Sequence, residues 1–553
     1  MSSKLSFVLT AIVILFVVGF LIAISIPSLL RARVSTELAR SQPPYRQSTE
    51  GRAFVSANQV DPLDQGRDGR ERGNTERYSR IHDNPFLDAA DAPLSTFAID
   101  VDTASYANVR RLLRDGHLPP PDAVRIEELV NYFRFDYPEP QGDEPFSVTT
   151  EVGDCPWKRG HKLLLVGLKG RAVEQEALPP RNLVFLIDVS GSMDEPLKLP
   201  LLVSAMNLLV DQLTERDRVA MVVYAGSAGL VLPPTLGSKK DTIREALSRL
   251  AAGGSTAGGE GIVLAYELAE RGYLANGINR VILATDGDFN VGVTSEGDLT
   301  RLIEKKRKTG VFLSVLGFGA GNLNDSAMEK IADAGNGNYS YIDSLSEARK
   351  VLVKEGGATL VTLAKDVKIQ VEFNPAQVAA YRLIGYENRL LAAEDFNDDR
   401  KDAGEIGAGH SVTALYEWMP ATGESRPGRV DPLKYQEARK ASADAGSEEL
   451  VTVKLRYQPP AGGASALMTV AVPAPAKTGA SEASENMRWA ASVASFGMLL
   501  RDSEHKGDAS YALVQELARG SLGTDREGYR KEFVEIVDRA RALAAEAARE
   551  SVH

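Results

Sequence analysis

The chain has 553 residues, of which 43% are hydrophobic and 25% charged, so it is long enough for several globular domains with substantial cores. Its formal net charge of -11 argues against nucleic acid as the main partner, because phosphate binding needs a basic surface. Cys155 is the only cysteine, which excludes an intramolecular disulfide and a multi-cysteine zinc site. Any bound metal is therefore expected to be a hard cation with oxygen ligands.

The first 34 residues have the pattern of a membrane anchor. No charged residue lies between Lys4 and Arg31, and the apolar run over 7–30 matches the ~20 residues that a bilayer core requires. The run exceeds that of an ordinary cleaved signal peptide, so we predict a retained transmembrane helix over 1–34, with a cleaved signal as the alternative. The stretch ISIPSLLRAR (24–33) resembles the N-terminal helix of type IV pilins, but lacks their processing site and glutamate.

Residues 35–92 are polar and show neither helical nor strand periodicity, so we predict a disordered linker there. The membrane orientation has two conflicting indications. Arg31, Arg33 and Arg40 follow the apolar run, and by the positive-inside rule they favour a cytoplasmic location for the bulk of the chain. The family resemblance described below favours the extracytoplasmic side, and we adopt that expectation for a single-pass membrane protein.

A regular alternation of strands and helices occupies residues 181–357. Apolar strand patterns lie at 182–189, 218–225, 230–233, 279–285, 311–318 and 339–342, with helical spacing at 199–213, 241–250, 261–271, 299–308, 325–334 and 347–354. This order predicts an α/β, doubly wound, mostly parallel sheet. Ligands of such sheets bind at the carboxyl ends of the strands, so the residues that follow each strand are the first candidates for a site.

Hydroxyl and carboxylate side chains follow strands at this predicted edge. Two carboxylates ~4 Å apart at an effective dielectric of ~20 repel each other by about 4 kcal/mol. A divalent cation bound between them attracts both, so the electrostatic energy of the group becomes favourable. Serine and threonine hydroxyls add neutral oxygen ligands of the kind that a hard cation accepts. The predicted metal ligands are Asp188, Ser190, Ser192, Thr256 and Asp286.

This spacing, DxSxS followed by a threonine and then an aspartate, resembles the metal-ion-dependent adhesion site (MIDAS) of von Willebrand factor type A (VWA) domains. The resemblance implies a VWA domain over 181–357 that binds Mg²⁺ (or Mn²⁺ or Ca²⁺). It further implies a protein or peptide partner with an exposed Asp or Glu.

Longer segments resemble the YfbK-like family of bacterial envelope proteins, namely STFAIDVDTASYANVRR (95–111), VTTEVGDCPW (148–157), NPAQVAAYRLIGY (374–386) and FGMLLRDSEHKG (496–507). The resemblance implies an N-terminal module (93–180), the VWA domain, a β-rich C-terminal module (358–476) and a helical region (477–553). β-type alternation on both flanks predicts a β-sandwich in which the VWA domain is inserted or by which it is flanked. In the helical region, Trp489, Val493 and Phe496 are expected to pack inward.

Three functions are compatible with these patterns. The first is a membrane-anchored, non-enzymatic binding or adhesion module that uses the MIDAS. The second is a scaffold or assembly factor for surface structures such as pili. The third is a metal-dependent phosphatase, because Asp100-Val-Asp102 resembles the first motif of haloacid-dehalogenase-type phosphatases. We disfavour the enzyme because that motif needs alternating strands and helices around it.

Overall fold

The computed structural model describes residues 75–174, 177–225, 227–253, 258–287, 296–356, 361–401, 403–421, 442–460, 462–474 and 483–550. The predicted anchor at 1–34 and the linker up to residue 74 lie outside these ranges. No helix within the described ranges is long and apolar enough to cross a bilayer.

The described strands are β1 (Leu87–Asp88), β2 (Leu94–Ala98), β3 (Phe146–Asp154), β4 (Lys162–Gly170), β5 (Arg181–Asp188), β6 (Arg218–Ala225), β7 (Ser227–Leu236), β8 (Ile278–Thr285), β9 (Phe312–Phe318), β10 (Tyr339–Ile342), β11 (Thr362–Phe373), β12 (Val378–Ile384), β13 (Ile406–Gly407), β14 (Ser411–Pro420), β15 (Glu449–Gln458) and β16 (Ala466–Pro473). The α-helices are α1 (Ala104–Arg114), α2 (Ile126–Asn131), α3 (Leu199–Asp211), α4 (Lys240–Ser248), α5 (Gly258–Arg271), α6 (Glu296–Arg307), α7 (Asp325–Ala334), α8 (Leu345–Arg349), α9 (Glu485–Leu500), α10 (Tyr511–Arg519) and α11 (Tyr529–Glu550). A π-helical turn over Lys350–Glu355 follows α8.

The central sheet has the strand order β10-β9-β8-β5-β6-β7. Neighbouring strands run parallel, except that β7 is antiparallel to β6. Apolar side chains alternate between two buried faces, with Leu183 and Phe185 on one face and Val184 and Leu186 on the other. The order reverses between β5 and β8, so the carboxyl ends of these two strands flank the switch point where ligands of doubly wound sheets bind. The predicted α/β VWA fold is confirmed.

Two further sheets pack against each other around a separate apolar core. One has the order β1-β12-β14-β4-β3, and the other has the order β13-β11-β15-β16 with β2 paired to β11. Leu164, Ile369, Tyr416 and Val453 belong to their shared core. Strands that precede the central sheet in the chain therefore share a core with strands that follow it.

The C-terminal helices α9, α10 and α11 contribute to another core together with α2. Trp489, Val493 and Phe496 are each fully buried in it, as predicted. The C-terminal helical region expected from the sequence is confirmed.

The predicted disordered linker over 35–92 is wrong for residues 75–92, the part that the structure describes. The side-chain amide of Asn84 donates to the carbonyl oxygens of Leu383 and Gly385 at 3.0 and 2.8 Å. Ala89 is fully buried, and β1 pairs with β12. These polar residues are ordered because their partners lie far away in the sequence, where local periodicity gives no signal.

Candidate metal centre

Asp188 ends strand β5 and is held in place by both neighbouring strands. Its carboxylate accepts hydrogen bonds from the hydroxyls of Tyr224 on β6, at 3.3 Å, and Thr285 on β8, at 3.1 Å. It also accepts the backbone N–H of Ser190 at 2.9 Å, which closes the turn after the strand. The side chain is fully buried. One carboxylate is thereby fixed at the switch point of the sheet.

The two serines of the DxSxS motif lie in the turn that follows. Ser190 precedes a 3₁₀ turn over 191–193, and its Oγ lies 3.0 Å from the Oγ of Ser192. Met193 is fully buried and anchors the turn to the core of the VWA domain. The two hydroxyls therefore face one another beside Asp188.

Asp286 follows the last residue of β8 and brings a second carboxylate to the same edge. It is fully buried. Burial raises its pKa, but hydrogen bonds with Asn322 and Ser192 and the charge of Lys198 outweigh that effect, and the pKa lies below its usual value. Burial raises the pKa of Asp188, and the nearby charge of Asp286 raises it further. Two buried carboxylates this close together are stabilised by a positive charge beside them.

Lys198 supplies one such positive charge. It was not predicted from the sequence as part of the site. The residue directly precedes α3 and is 2% exposed. Its Nζ donates to the Asp286 carboxylate at 3.1 Å, to the Ser192 carbonyl at 3.0 Å and to the Asn322 side-chain oxygen at 3.2 Å. A cation at the start of a helix is unfavourable for the helix dipole, so its position was a signal that a specific partner holds it.

The loop after β9 completes the surroundings of this lysine. Asn322 lies in that loop, at the same edge of the parallel sheet as Asp188 and Asp286. A Cβ atom on Gly319 would lie 2.2 Å from the Lys198 side chain, so only glycine leaves room for the lysine. The signal in the sequence was a glycine-rich polar loop directly after a buried strand.

The structure brings four of the five predicted ligands to one edge: Asp188, Ser190, Ser192 and Asp286. The fifth, Thr256, lies outside the described residues. At the start of its loop, the backbone N–H of Gly253 donates to the Val189 carbonyl oxygen at 2.8 Å.

A second acidic cluster lies elsewhere in the fold. Carboxylate oxygens of Asp102, Glu128 and Glu329 approach within 4.8 Å of one another, and all three residues are buried. Two guanidinium groups lie among them, because Arg125 pairs with Glu128 and Arg389 lies 3.4 Å from Asp102 and 3.2 Å from Glu329. The two arginines compensate part of the negative charge, so this cluster lies within an ion-pair network.

The same region contains the motif that resembles a phosphatase. Asp100 and Asp102 follow β2, which pairs antiparallel with β11 and lies outside the parallel sheet. Arg389 lies 3.6 Å from Asp100, and the backbone N–H of Tyr339 donates to Asp102 at 2.7 Å. The sheet setting that the phosphatase motif needs is not present around these two residues in the described structure.

Comparison with known families agrees with this architecture. Residues 182–354 match the family "von Willebrand factor type A domain", residues 72–165 match "von Willebrand factor", and residues 358–543 match "Uncharacterized protein YfbK, C-terminal". Protein YfbK of Escherichia coli is 45% identical over 473 residues, which span 84% of this chain and 81% of that protein. The chain belongs to the YfbK family.

Two further similar proteins match less of the chain. Protein sll0103 of Synechocystis is 31% identical over 189 residues, which cover 34% of this chain and 43% of that protein. The solved structure of a von Willebrand factor type A protein from Catenulispora acidiphila is 17% identical, with a TM-score of 0.40, over 72% of this chain and 91% of that one. VWA domains commonly mediate protein–protein interaction and are typically non-enzymatic.

Proposed function

We propose that this YfbK-family protein is a membrane-anchored binding module whose VWA domain holds one divalent cation and uses it to bind a carboxylate of a partner protein. The observation that carries the proposal is the meeting of the β5 and β8 carboxyl ends. There Asp188 and Asp286 interact, the hydroxyls of Ser190 and Ser192 lie 3.0 Å apart, and the Lys198 ammonium contacts Asp286. The proposed ligands of Mg²⁺ (or Mn²⁺ or Ca²⁺) are Asp188, Ser190, Ser192, Thr256 and Asp286.

The donor set fits a hard cation. Two adjacent ligands of an octahedral Mg²⁺ with bonds of 2.0–2.1 Å lie about 2.9 Å apart. The Ser190 and Ser192 hydroxyl oxygens are 3.0 Å apart. Carboxylates and hydroxyls are oxygen ligands of the kind that Mg²⁺, Mn²⁺ and Ca²⁺ prefer.

A bound cation would supply an electrophilic position for an acidic side chain of the partner. The serine and threonine ligands are neutral, so they donate oxygen atoms without cancelling the charge of the ion. The partner is therefore a protein or peptide with an exposed Asp or Glu, and the net charge of -11 disfavours nucleic acid.

The anchor is the apolar stretch at 1–34, with the bulk of the chain on the extracytoplasmic side. The apolar run and the family's envelope setting support this placement. We expect the full chain to stay in the membrane pellet after alkaline carbonate extraction, and a chain that lacks 1–34 to be released. External protease that digests the chain in intact spheroplasts would support the extracytoplasmic side, and full protection there would contradict it.

The central experiment is capture of partners by the immobilised full chain in detergent. With Mg²⁺ present, we expect partners from an envelope extract to be retained and then eluted by EDTA. The double variant Asp188→Ala, Ser190→Ala should capture none of them. Asp241→Asn, which removes a fully exposed carboxylate on α4, is the matched control and should capture normally.

A scaffold for surface structures is the second candidate, favoured by the pilin-like stretch at 24–33. In that case the metal would stabilise the VWA domain without touching the partner. Capture that persists in EDTA and in the double variant, while Mg²⁺ still raises the unfolding temperature, would replace the first proposal with the second.

A further inference from the structure

A cavity of about 120 Å³ lies at the amino ends of the central strands, opposite the candidate metal centre. Leu183, Arg280 and Ser314 line it, and each is the third residue of its strand, β5, β8 or β9. Arg280 precedes Asp286 by six residues, which at ~3.3 Å per residue along a strand corresponds to about 20 Å. The cavity is therefore separate from the metal centre, and an inference about it does not depend on the proposed function.

The other walls of the cavity come from outside the central sheet. Asp102 lies just before α1, Glu355 ends the π-helical turn, and Glu405 and His410 lie on either side of β13. π-helical turns are rare and are often found at functional sites. Three separate parts of the chain therefore meet around this space, and a ligand held there would contact all of them.

The unusual group in this cavity is the guanidinium of Arg280, which is 4% exposed. Within the described residues its one hydrogen bond runs from Nη1 to the Ser314 hydroxyl at 2.5 Å, and its Nε has no partner. Burial lowers its pKa to about 10 while the charge of Glu405 opposes that effect, so the group remains charged at neutral pH. A buried charge of this kind is costly unless a counter-charge compensates it.

The other buried arginines in the described part of the chain each have a carboxylate as counter-charge. Each lies within ion-pair distance of a carboxylate: Arg110, Arg111, Arg125, Arg181, Arg382 and Arg501. Arg280 departs from this pattern, since no described carboxylate lies within 4.0 Å of it. The charge of Glu405 acts on Arg280 from beyond that distance, and the unpartnered Nε–H leaves the guanidinium open to an anion at closer range.

The acidic residues of the cavity wall have partners of their own. Asp102 lies 3.4 Å from the guanidinium of Arg389, and Glu355 pairs with Lys350 at 2.9 Å. Glu405 accepts a hydrogen bond from Asn336, and its charge also acts on Arg280. Aliphatic side chains provide much of the remaining wall: Leu183, Leu209, Ile282, Leu316, Val351 and Leu352. The cavity thus offers a guanidinium without a described carboxylate in ion-pair contact, beside an apolar surface.

We propose that this cavity binds a small organic carboxylate whose charged head pairs with Arg280 and whose apolar body lies against the aliphatic wall. Arginine recognises carboxylates through two parallel N–H donors, and here Nε is free to act as one of them. An engineered cavity of about 150 Å³ lined by aliphatic and aromatic side chains holds benzene, and this cavity of about 120 Å³ is somewhat smaller. A benzene ring is therefore the upper limit for the apolar body of the carboxylate.

The test uses benzoate as the probe and benzamide as its neutral counterpart, with the full chain in detergent. Binding is measured by isothermal titration calorimetry and by the shift in unfolding temperature. We expect saturable benzoate binding that is at least tenfold tighter than benzamide binding. Arg280→Met should abolish this preference for the charged probe.

Arg181→Met is the matched control, because Arg181 is a buried arginine on the neighbouring strand with its own carboxylate, Asp217. This variant should be less stable but should bind benzoate as the wild type does. If Arg280→Met does not fold, Leu316→Phe provides the second test by filling the cavity, and it should also abolish binding. No saturable benzoate binding by the wild type, or unchanged binding in either cavity variant, would overturn the proposal.

Discussion

The two ends of the central sheet bury charged side chains of opposite sign. At the carboxyl end, Asp188 and Asp286 bring two buried carboxylates together, and the Lys198 ammonium lies against them. At the amino end, Arg280 places a buried cation beside a cavity without a carboxylate within ion-pair distance among the described residues. The groups of the first end lie in loops of one domain, whereas those of the second are covered by other parts of the chain. The two proposals therefore place a cation site and an anion site about 20 Å apart on a single sheet.

The amino end can be tested most strongly through Arg181, whose guanidinium contacts Asp217 at 3.1 and 2.9 Å. Arg181→Met leaves the 2%-exposed Asp217 without its counter-charge, so we expect the free energy of unfolding to fall by about 3–5 kcal/mol. Arg280→Met removes a buried charge that has no described ion-pair partner, so its free energy of unfolding should fall little or should rise. Urea unfolding followed by tryptophan fluorescence measures the free energy of unfolding of both variants. Equal losses would show that Arg181 and Arg280 do not differ in how far their charge is compensated.

At the carboxyl end, Mg²⁺ at ~100-fold above its dissociation constant should raise the free energy of unfolding of the VWA domain by about 2.7 kcal/mol. Asp286→Asn should lose this gain, and the exposed-site variant Asp241→Asn should keep it. Thermal unfolding with and without EDTA provides the measurement. A gain that survives in Asp286→Asn would place the metal elsewhere.

Lys198→Met tests whether the lysine competes with the metal for Asp286. Removing the ammonium should tighten Mg²⁺ binding about tenfold, equivalent to about 1.4 kcal/mol. Titration calorimetry on wild type and variant gives the ratio. Weaker binding in the variant would show instead that Lys198 positions Asp286 or Asn322 for the ion.

A smaller effect concerns the pH dependence of the cavity wall. Burial lowers the pKa of His410 to about 4, and Lys350, Lys169 and Arg134 lower it further while Glu355 opposes them. The unfolded chain therefore binds more protons between pH 6.5 and 4, so this residue's contribution to stability falls as the pH falls through that window. Between pH 6.5 and 5.5, the free energy of unfolding of His410→Asn should fall by about 1 kcal/mol less than that of the wild type.

The comparison with the variant is needed because other groups shift in the opposite direction. Burial raises the pKa values of Glu127, Glu128 and Asp333 to about 7, and their contribution to stability falls as the pH rises from 4.5 to 7. Only the difference between wild type and His410→Asn isolates the histidine. If the free energy of unfolding changed with pH in the same way in both proteins, His410 would not contribute to the pH dependence.

The sequence was sufficient for the central sheet and for the position of the candidate metal centre. Strand ends of a parallel sheet meet at one edge, so Asp188 and Asp286 could be predicted as neighbours although 98 positions separate them. The apolar spacing in α9 was likewise sufficient to predict the burial of Trp489.

What the sequence did not reveal depends on partners that are distant along the chain. Asn84 is ordered by carbonyl groups almost 300 positions away, and nothing in its polar surroundings indicates them. Arg280 lies within the apolar strand NRVILAT, where a charged residue could equally end the strand or face a partner. Only the packing of other chain segments over the sheet shows that it is buried.

Residues 75–77, the first that the structure describes, lie beside the candidate metal centre. They hydrogen-bond along residues 321–324, the loop whose Asn322 contacts Lys198. A pulling force applied at residue 75 would therefore load this short pairing before the rest of the sheet, and would act directly on the loop beside Lys198 and Asp286.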